Sequence, residues 1–285
     1  PFELQRVCRE HGLNFPETRA SAEGLPLDGS WLCKTYRGSN GSGVWPHSHS
    51  AAADANRTAC VYQKHMFGTP ASATFCSDTG GARLLGVTEQ IVNAWQLHAP
   101  DWAYCGSIYR ADLLERFAKE VGDIGQTVCG EFSLRGLVGV DLLFDYERFW
   151  LIEVNPRFTA SVEVVESHRP AAAVAEHASC FGADPAKEDV PSPRCLAGRA
   201  VLFADQEANV EHSLAQLLAK SASAGRVADI PEAGSVICRG KPVLTVLWES
   251  DDADSYWTRK ALFESAARID SRLKADQDRG RRPQT

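Results

Sequence analysis

Two carboxylic acids and an amide stand close together in the segment 139–157, which reads GVDLLFDYERFWLIEVNPR. Within it, apolar runs at 139–144 and 149–154 flank the polar tetrad 145–148. Two apolar runs separated by a short polar stretch indicate a β-hairpin. Side chains alternate between the two faces of a strand, so the pairing of the strands decides which residues share a face.

The pairing that separates polar from apolar residues places Asp141 opposite Glu153, with Asp145 and Phe149 closing a three-residue loop. One face then carries six apolar side chains, which are Val140, Leu142, Phe144, Trp150, Ile152 and Val154. A shift by one residue would bury a carboxylate among apolar groups, which is unfavourable. The pattern therefore predicts that both carboxylates lie on the other face of the hairpin.

Asn155 shares that predicted face with Asp141 and Glu153, so three oxygen donors converge there. This donor set suits a hard cation such as Mg²⁺, which keeps several waters and takes further oxygens from phosphates. Arg157 follows two residues later, and its guanidinium can bind a phosphate through two hydrogen bonds. The alternative is that the carboxylates are surface positions on a half-exposed hairpin.

Lys34 is a second candidate, because it ends a predicted strand at 31–36 and precedes the Gly-rich sequence RGSNGSG at 37–43. Such a loop presents backbone N–H groups without side-chain obstruction and can form a concave anion site. It lacks the order GxxxxGK[ST], so it is not a P-loop. Taken alone, Lys34 could equally be a solvent-exposed lysine, and the Gly-rich sequence a plain turn.

The composition limits the class of protein. The chain has 285 residues, 44% of them hydrophobic, and a net charge of −7 without a basic stripe. It can form a sizeable core, and we expect no nucleic-acid partner. It has neither an apolar run of about 18 residues nor a signal-peptide pattern, so we expect no membrane span. Nine scattered cysteines without a CxxC pair favour a reduced, cytoplasmic compartment.

Periodicity and breaker residues predict the following elements. Helices are expected at 2–11, 111–129, 159–166, 171–181 and 254–274, the last with Asp254 as its N-cap. Besides the hairpin, strands are expected at 31–36, 44–45, 59–65, 72–76, 82–87, 198–203, 235–238 and 242–248. Because the chain opens at Pro1 within a helical pattern, we also expect an N-terminal part to be missing.

Three stretches together resemble the ATP-grasp superfamily: WLCKTYRGSNGSGV, VYQKHMFGTPASATF and GVDLLFDYERFWLIEVNPR. A weaker similarity links ADIPEAGSVICRGKPVLTV to the segment that follows the grasp core in carboxylase-like ligases. The resemblance implies an α+β ATP-grasp fold, in which two α+β subdomains with antiparallel sheets clamp ATP, followed by a C-terminal β-rich segment and a closing helix. The implied boundaries are 1–110 and 111–190 for the two parts of the grasp, 191–275 for the C-terminal segment and 276–285 for a disordered tail.

The resemblance also implies roles in nucleotide binding. Lys34 would contact the α- or β-phosphate, in both a binding and a catalytic role. The loop residues that would close over the triphosphate are Ser39, Gly41, Ser42 and Gly43. The hinge residues that would hold adenine through backbone groups are Gln63, Lys64, His65 and Met66. Relatives often carry an acidic residue where this chain has Lys64.

For the metal and the chemistry, the resemblance implies that Asp141, Glu153 and Asn155 bind one or two Mg²⁺ (or Mn²⁺) ions. Arg157 would stabilise the transferring phosphoryl group or an acyl phosphate. The implied activity is an ADP-forming, Mg²⁺-dependent ligase that activates a small-molecule carboxylate for attack by an amine. A bicarbonate-activating carboxylase-like enzyme and a non-catalytic ATP-binding module are the alternatives, and a homodimer is a candidate assembly.

Two further residues have metal-like spacing. His47 and His49 lie two positions apart in PHSHS, but no other candidate ligand joins them in the sequence. We therefore expect them to belong to a flexible loop. The role of Arg110, at the start of the longest predicted helix, is open at this point.

Overall fold

The structure is a computed structural model that describes residues 1–36, 38, 41–48, 59–168, 173–183, 196–250 and 254–280. Its small sheet has the strand order β1-β4-β2-β3. These strands are β1 (Thr18–Arg19), β2 (Asp28–Thr35), β3 (Val44–Ser48) and β4 (Cys60–Lys64).

The large sheet has eight strands in the order β12-β14-β10-β7-β6-β5-β8-β9, and its paired strands are antiparallel. Its strands are β5 (Thr69–Asp78), β6 (Gly81–Val92), β7 (Tyr104–Tyr109), β8 (Gly136–Phe144), β9 (Phe149–Asn155), β10 (Leu196–Phe203), β12 (Val227–Ala228) and β14 (Pro242–Glu249). A separate pair joins β11 (Ala208–Asn209) and β13 (Val236–Ile237). The antiparallel α+β architecture predicted from the sequence is therefore confirmed.

The helices cover these sheets. They are α1 (Phe2–Glu10), α2 (Ala111–Glu131), α3 (Ser161–Glu166), α4 (Ala173–Ser179), α5 (His212–Ser223) and α6 (Ser255–Gly280). One hydrophobic core packs α1 and α2 against β5, β6, β8 and β9. A second core packs α5 and α6 against β7, β10 and β14. None of the helices in the described ranges is both long and apolar enough to cross a lipid bilayer.

The hairpin of β8 and β9 pairs Asp141 with Glu153, as the sequence pattern predicts. Beyond that pair the register shifts, because Leu142 pairs with Leu151 and leaves Ile152 as an extra residue. This is a β-bulge, which inserts one residue into one strand and reverses the faces that follow. The alternation of side-chain faces at the apolar end of β9 is therefore shifted by one residue relative to the alternation at Glu153.

The bulge corrects two expectations. Phe144 pairs with Phe149, so the connecting loop has four residues and not three. The core side chains of β9 are Phe149 and Leu151, which are 1% and 0% exposed, and not the predicted Trp150 and Ile152. Residue types alone could not reveal this, since apolar residues occupy 149–152 without a break.

Several elements differ from the predictions. β7 and α5 were not predicted, because YCGSIY is short and contains glycine, whereas the His212–Ser223 segment opens without a strong cap. The segment 276–280 was predicted to be disordered but continues α6 as helix. Asp254 does cap α6, since its Oδ1 accepts the Trp257 N–H at 3.0 Å. The large sheet crosses the predicted boundaries at 110 and 190.

Candidate active site

A cleft of about 900 Å³ opens between the small sheet and the polar face of the large sheet. From the small sheet and its loop, the cleft takes Lys34, Gly41, Ser42 and Gln63. From the large sheet and the segment after it, the cleft takes Ser72, Gln90, Tyr104, Asp141, Glu153, Asn155, Arg157, Thr159 and Ser161. The fold therefore brings most of the predicted site residues to one place.

Asp141 lies on the floor of this cleft and is held by two neighbouring side chains. Its Oδ1 accepts a hydrogen bond from Gln90 Nε2 at 2.9 Å, and its Oδ2 accepts one from Asn155 Nδ2 at 3.0 Å. Burial raises the pKa of Asp141 to about 6, and the charge of Glu153 acts in the same direction. The hydrogen bonds from Gln90 and Asn155 lower its pKa in part. A carboxylate in this environment is stabilised by any nearby cation.

Glu153, paired with Asp141 across the hairpin, is solvent-exposed at the cleft. Neither carboxylate forms an ion pair with a Lys, Arg or His within the described ranges. The described residues also contain no group of three His, Cys, Asp or Glu side chains suited to a metal. Two carboxylates with the Asn155 amide are an oxygen-only donor set, which fits Mg²⁺ better than a softer metal.

Asn155 links the acidic pair to Arg157. Its Nδ2 donates to Asp141, while its Oδ1 accepts a hydrogen bond from Arg157 Nη2 at 3.2 Å. Arg157 Nη1 donates to the carbonyl oxygen of Phe158 at 3.2 Å. Because the Arg157 side chain is exposed at the cleft, its remaining N–H groups can reach an anion there.

Lys34 extends from β2 into the cleft, where its Nζ donates to Gln63 Oε1 at 2.5 Å. The Gln63 side chain is fixed in turn, since its Nε2 donates to Thr18 Oγ1 at 3.1 Å. Burial lowers the pKa of Lys34, while the charges of Glu153 and Asp141 act in the opposite direction. The lysine is therefore a positioned cation facing the acidic pair and not a freely solvated surface group.

The Gly-rich loop between β2 and β3 depends on two glycines. Gly41 has a φ of +77°, and a Cβ built there would lie 1.9 Å from the Trp102 carbonyl oxygen. Gly43 has a φ of +85°, and its Cβ would lie 2.2 Å from Thr35 Oγ1. Both positions therefore require glycine for conformation and for space. Ser42 lies between them at the cleft, whereas Ser39 falls outside the described residues.

Of the predicted hinge residues, only Gln63 lines the cleft. The backbone N–H groups of Lys64 and His65 already donate to the carbonyl oxygens of Glu17 and Ser30, at 2.8 and 2.9 Å. Their amide hydrogens are thus committed to the small sheet, which leaves adenine recognition to other backbone groups of the segment, Met66 included. The adenine-binding role of Lys64, His65 and Met66 stays a prediction.

His65 behaves as a packing residue, with its ring 4.7 Å from the ring of Phe67 and 5.5 Å from that of Trp102. His47 lies in β3 and not in the predicted flexible loop, with its ring 5.1 Å from that of Tyr62, and His49 falls outside the described residues. Arg110, without a predicted role, pairs with Glu89 at 2.5 Å and with Asp112 at 2.7 Å, so it is a structural cation.

A row of polar side chains, not predicted from the sequence, crosses the large sheet. Strand pairing aligns Glu153 with Asp141 and Asp141 with Ser72. On the next strands of the sheet, the pairing of β6 with β7 aligns Gln90 with Ser107, and the pairing of β7 with β10 aligns Ser107 with Arg199. Five strand spacings separate β9 from β10, so the row is about 24 Å long. Only the alternation of polar residues in β6 and β7 hinted at it, and β7 was not predicted.

The middle of this row is a chain of hydroxyl groups. Tyr104 OH lies 2.8 Å from Ser107 Oγ, which lies 3.3 Å from Ser161 Oγ. Burial raises the pKa of Tyr104, so this phenol stays protonated at neutral pH. Tyr104 and Ser161 line the same cleft as Arg157, and they can hydrogen-bond to a ligand there.

At its far end the row reaches Arg199, which is held by acidic and hydroxyl groups. Arg199 Nη1 lies 2.5 Å from Glu163 Oε2, and its Nη2 donates to Thr245 Oγ1 at 3.1 Å. Asp229 lies 3.6 Å from the same Nη2. These contacts fix the guanidinium beside the hydroxyl chain.

The sequence matches a family model described as an ATP-grasp domain over residues 2–161. A search of curated protein sequences gives no significant match. Similar solved structures include an L-amino acid ligase from Bacillus licheniformis, at 14% identity and a TM-score of 0.68, covering 94% of this chain and 70% of the ligase. A carboxyaminoimidazole ribonucleotide synthase from Aspergillus clavatus complexed with ATP has 13% identity, a TM-score of 0.65 and coverages of 94% and 72%. An N5-carboxyaminoimidazole ribonucleotide synthetase from Thermotoga maritima has 11% identity, a TM-score of 0.61 and coverages of 95% and 70%.

Proposed function

The chain belongs to the ATP-grasp family, and from that premise we propose that it is an ATP-dependent, ADP-forming ligase that joins a carboxylate to an amine. The observation that carries this proposal is the convergence of Lys34, Asp141, Glu153, Asn155 and Arg157 on one cleft. Two cationic side chains and two carboxylates, set on facing sheets, match the needs of phosphoryl transfer. A binding module alone would not require all five.

In this proposal the nucleotide lies between the two sheets. The ammonium of Lys34, oriented by Gln63, binds a phosphate oxygen of ATP, and the N–H groups around Gly41 and Gly43 cover the triphosphate. Asp141, Glu153 and Asn155 would hold Mg²⁺, which supplies charge neutralisation for the phosphates. The protein's main contribution is to position groups and to stabilise charge.

The reaction then has two steps at the Arg157 end of the cleft. The substrate carboxylate oxygen bonds to the γ-phosphorus of ATP, the bond to the β-phosphate oxygen breaks, and ADP leaves. Arg157 binds the negative charge of the resulting acyl phosphate. The amine then bonds to the acyl carbon and loses a proton, while the carbon–oxygen bond breaks and phosphate leaves. Tyr104 and Ser161 line the wall on which the amine would bind.

A trapping experiment tests this proposal. Purified protein is incubated with Mg²⁺, ATP and hydroxylamine together with each member of a panel of carboxylic acids, and both ADP and hydroxamate are measured. An acyl phosphate gives a hydroxamate with hydroxylamine even when the natural amine is unknown. Glu153→Gln serves as the inactive control, since it keeps the side-chain shape and removes the charge.

The outcomes separate the alternatives. ADP and hydroxamate that both depend on a particular acid support the ligase. ADP formation that depends on bicarbonate alone would assign a carboxylase-like activity instead. Saturable ATP binding without ADP formation under any of these conditions would assign a binding module and overturn the proposal.

A further inference from the structure

A second cleft, of about 550 Å³, opens between α5 and α6 at the β12 edge of the large sheet. It shares no lining residue with the first cleft. The two clefts lie on opposite faces of the sheet. Thr245 contacts Arg199 on the polar-row side, whereas the next residue, Val246, lines the second cleft. Nothing in the proposed ligase reaction uses this second cavity.

Part of the wall of the second cleft is apolar. Buried or half-buried side chains from four elements form this part, namely Leu214, Leu217, Leu218, Val227, Val246 and Ile269. Trp248 stands at the rim with 38% of its surface exposed. A cavity of this size, with apolar walls and an aromatic ring, is typical of a site for a small organic molecule.

Three arginines surround this apolar cavity. Arg226 lies in the turn between α5 and β12, and Arg268 and Arg272 lie one turn apart on α6, so both point to the same side. All three are exposed. Glu249 is the one carboxylate in the lining, so the local charge is +3 − 1 = +2.

These arginines differ from most others in the described chain. Arg6, Arg83, Arg110, Arg199 and Arg259 each form an ion pair with a carboxylate. Within the described ranges, Arg226, Arg268 and Arg272 form none, and Arg268 donates only to the Ser265 hydroxyl, at 2.9 Å.

Three guanidinium groups that share a single lining carboxylate, Glu249, repel one another, and a bound anion would relieve that repulsion. The fork of N–H donors on arginine matches carboxylate, sulfonate and phosphate oxygens.

We propose that this cleft is a second ligand site, for a small amphipathic anion. The anionic group would lie among Arg226, Arg268 and Arg272, and the apolar body of the ligand would lie against Trp248 and Leu218. The proposal does not depend on the activity of the first cleft, because the two sites have no residue in common.

The probe that tests it is 8-anilinonaphthalene-1-sulfonate, which combines an apolar ring system with one sulfonate. Its fluorescence is titrated with the full chain in the presence of saturating Mg²⁺ and ADP, which keep the first cleft filled. N-phenyl-1-naphthylamine, with the same rings and no sulfonate, reports apolar binding alone. The variants are Arg268→Gln with Arg272→Gln, and the matched control is Arg9→Gln, another exposed arginine without an ion pair in the described ranges.

We expect one saturable sulfonate site per chain, whose Kd rises at least about tenfold in the double variant, because two charge-assisted hydrogen bonds are lost. Arg9→Gln should keep the wild-type Kd. The neutral probe should bind more weakly than the sulfonate, and its Kd should be the same in wild type and in the double variant. Arg272→Lys should fall between wild type and Arg272→Gln, since it keeps the charge but loses the fork.

Equal affinity for the two probes, or a Kd that does not change in the double variant, would overturn the proposal. Thermal melting of each variant, followed by circular dichroism, tests whether a loss of probe fluorescence is caused by unfolding of the protein. Sedimentation velocity on the same samples adds a further outcome. If the wild type is a dimer and the double variant is a monomer, the arginines belong to a subunit contact and the ligand site is rejected.

Discussion

The Gln63 side-chain oxygen accepts a hydrogen bond from Lys34 Nζ at 2.5 Å, across the pair of strands β2 and β4. Gln63 is itself anchored to the Thr18 hydroxyl, so the two contacts form a short chain that aims the ammonium into the cleft. The resemblance to the ATP-grasp superfamily implied a hinge role for the backbone of Gln63. The structure gives its side chain a different partner.

The first prediction concerns this contact. Gln63→Ala should raise the KM for ATP about tenfold, because loss of a hydrogen bond to a charged group is worth roughly 1.5–3 kcal/mol. Lys34→Met should raise it further, since it removes the cation itself. The measurement is ADP release at varied ATP. Unchanged KM in both variants would remove Lys34 from the nucleotide site.

The second prediction concerns the acidic pair. Glu153→Gln should lower kcat by about 10²-fold or more, as expected when one preorganised charge contact is lost, and should leave the melting temperature within a few degrees. The Glu153 side chain is exposed and has no hydrogen bond among the described residues, so little structure depends on its charge. Measuring activity against Mg²⁺ concentration shows whether the variant needs more Mg²⁺ than wild type. Near-normal activity at ordinary Mg²⁺ would show that Glu153 is not a metal ligand.

The third prediction uses the raised pKa of Asp141, about 6. In the metal-free protein, a folded pKa above the unfolded value stabilises the fold at low pH, and that contribution is lost as pH rises through about 4 to 6. Asn does not titrate. Between pH 4 and pH 7 the free energy of unfolding of wild type should therefore fall by about 2 kcal/mol relative to that of Asp141→Asn.

Urea unfolding with EDTA at several pH values measures this difference. Added Mg²⁺ should stabilise wild type at pH 7 and not the variant, because the cation offsets the repulsion between the two carboxylates. A difference between the two proteins that does not vary with pH would show that Asp141 ionises as an ordinary carboxyl group.

The fourth prediction concerns the Gly-rich loop. Gly41→Ala should weaken ATP binding about tenfold or more, because a positive φ is unfavourable for Ala and its Cβ would meet the Trp102 carbonyl oxygen. Isothermal titration with a non-hydrolysable ATP analogue measures this. Gly12→Ala is the control, since Gly12 also has a positive φ but open space around it. Equal losses in the two variants would assign the effect to general backbone strain.

The fifth prediction concerns the hydroxyl chain. Tyr104→Phe should lower kcat/KM for the amine while leaving hydroxamate formation with high hydroxylamine near the wild-type rate. The physical reason is that Tyr104 OH lies 2.8 Å from Ser107 Oγ in the chain of hydroxyl groups, which the proposed function assigns to the amine site. Equal losses in both assays would place Tyr104 in the activation step instead.

Much of the site could be predicted because its residues are close in sequence. Asp141, Glu153, Asn155 and Arg157 belong to one hairpin, whose polar and apolar alternation permits only one pairing at its acidic end. Lys34 was identifiable because a Gly-rich loop follows it.

The rest depends on strands that are far apart in the chain. Ser72, Gln90 and Ser107 share a floor with Asp141 only through the order β8-β5-β6-β7, which local patterns do not encode. The side-chain contact of Gln63 with Lys34 likewise requires the register of β2 on β4. The phase change at Ile152 was hidden because every residue near it is apolar.

That single inserted residue has a wider consequence. Because of this residue, the hairpin of β8 and β9 directs carboxylate and amide oxygens toward the solvent-filled cleft at one end. At its other end the same hairpin directs apolar side chains into the core. Deleting Ile152 would restore a regular alternation of side-chain faces along β9. Either Phe149 would then be exposed to solvent or Glu153 would be buried.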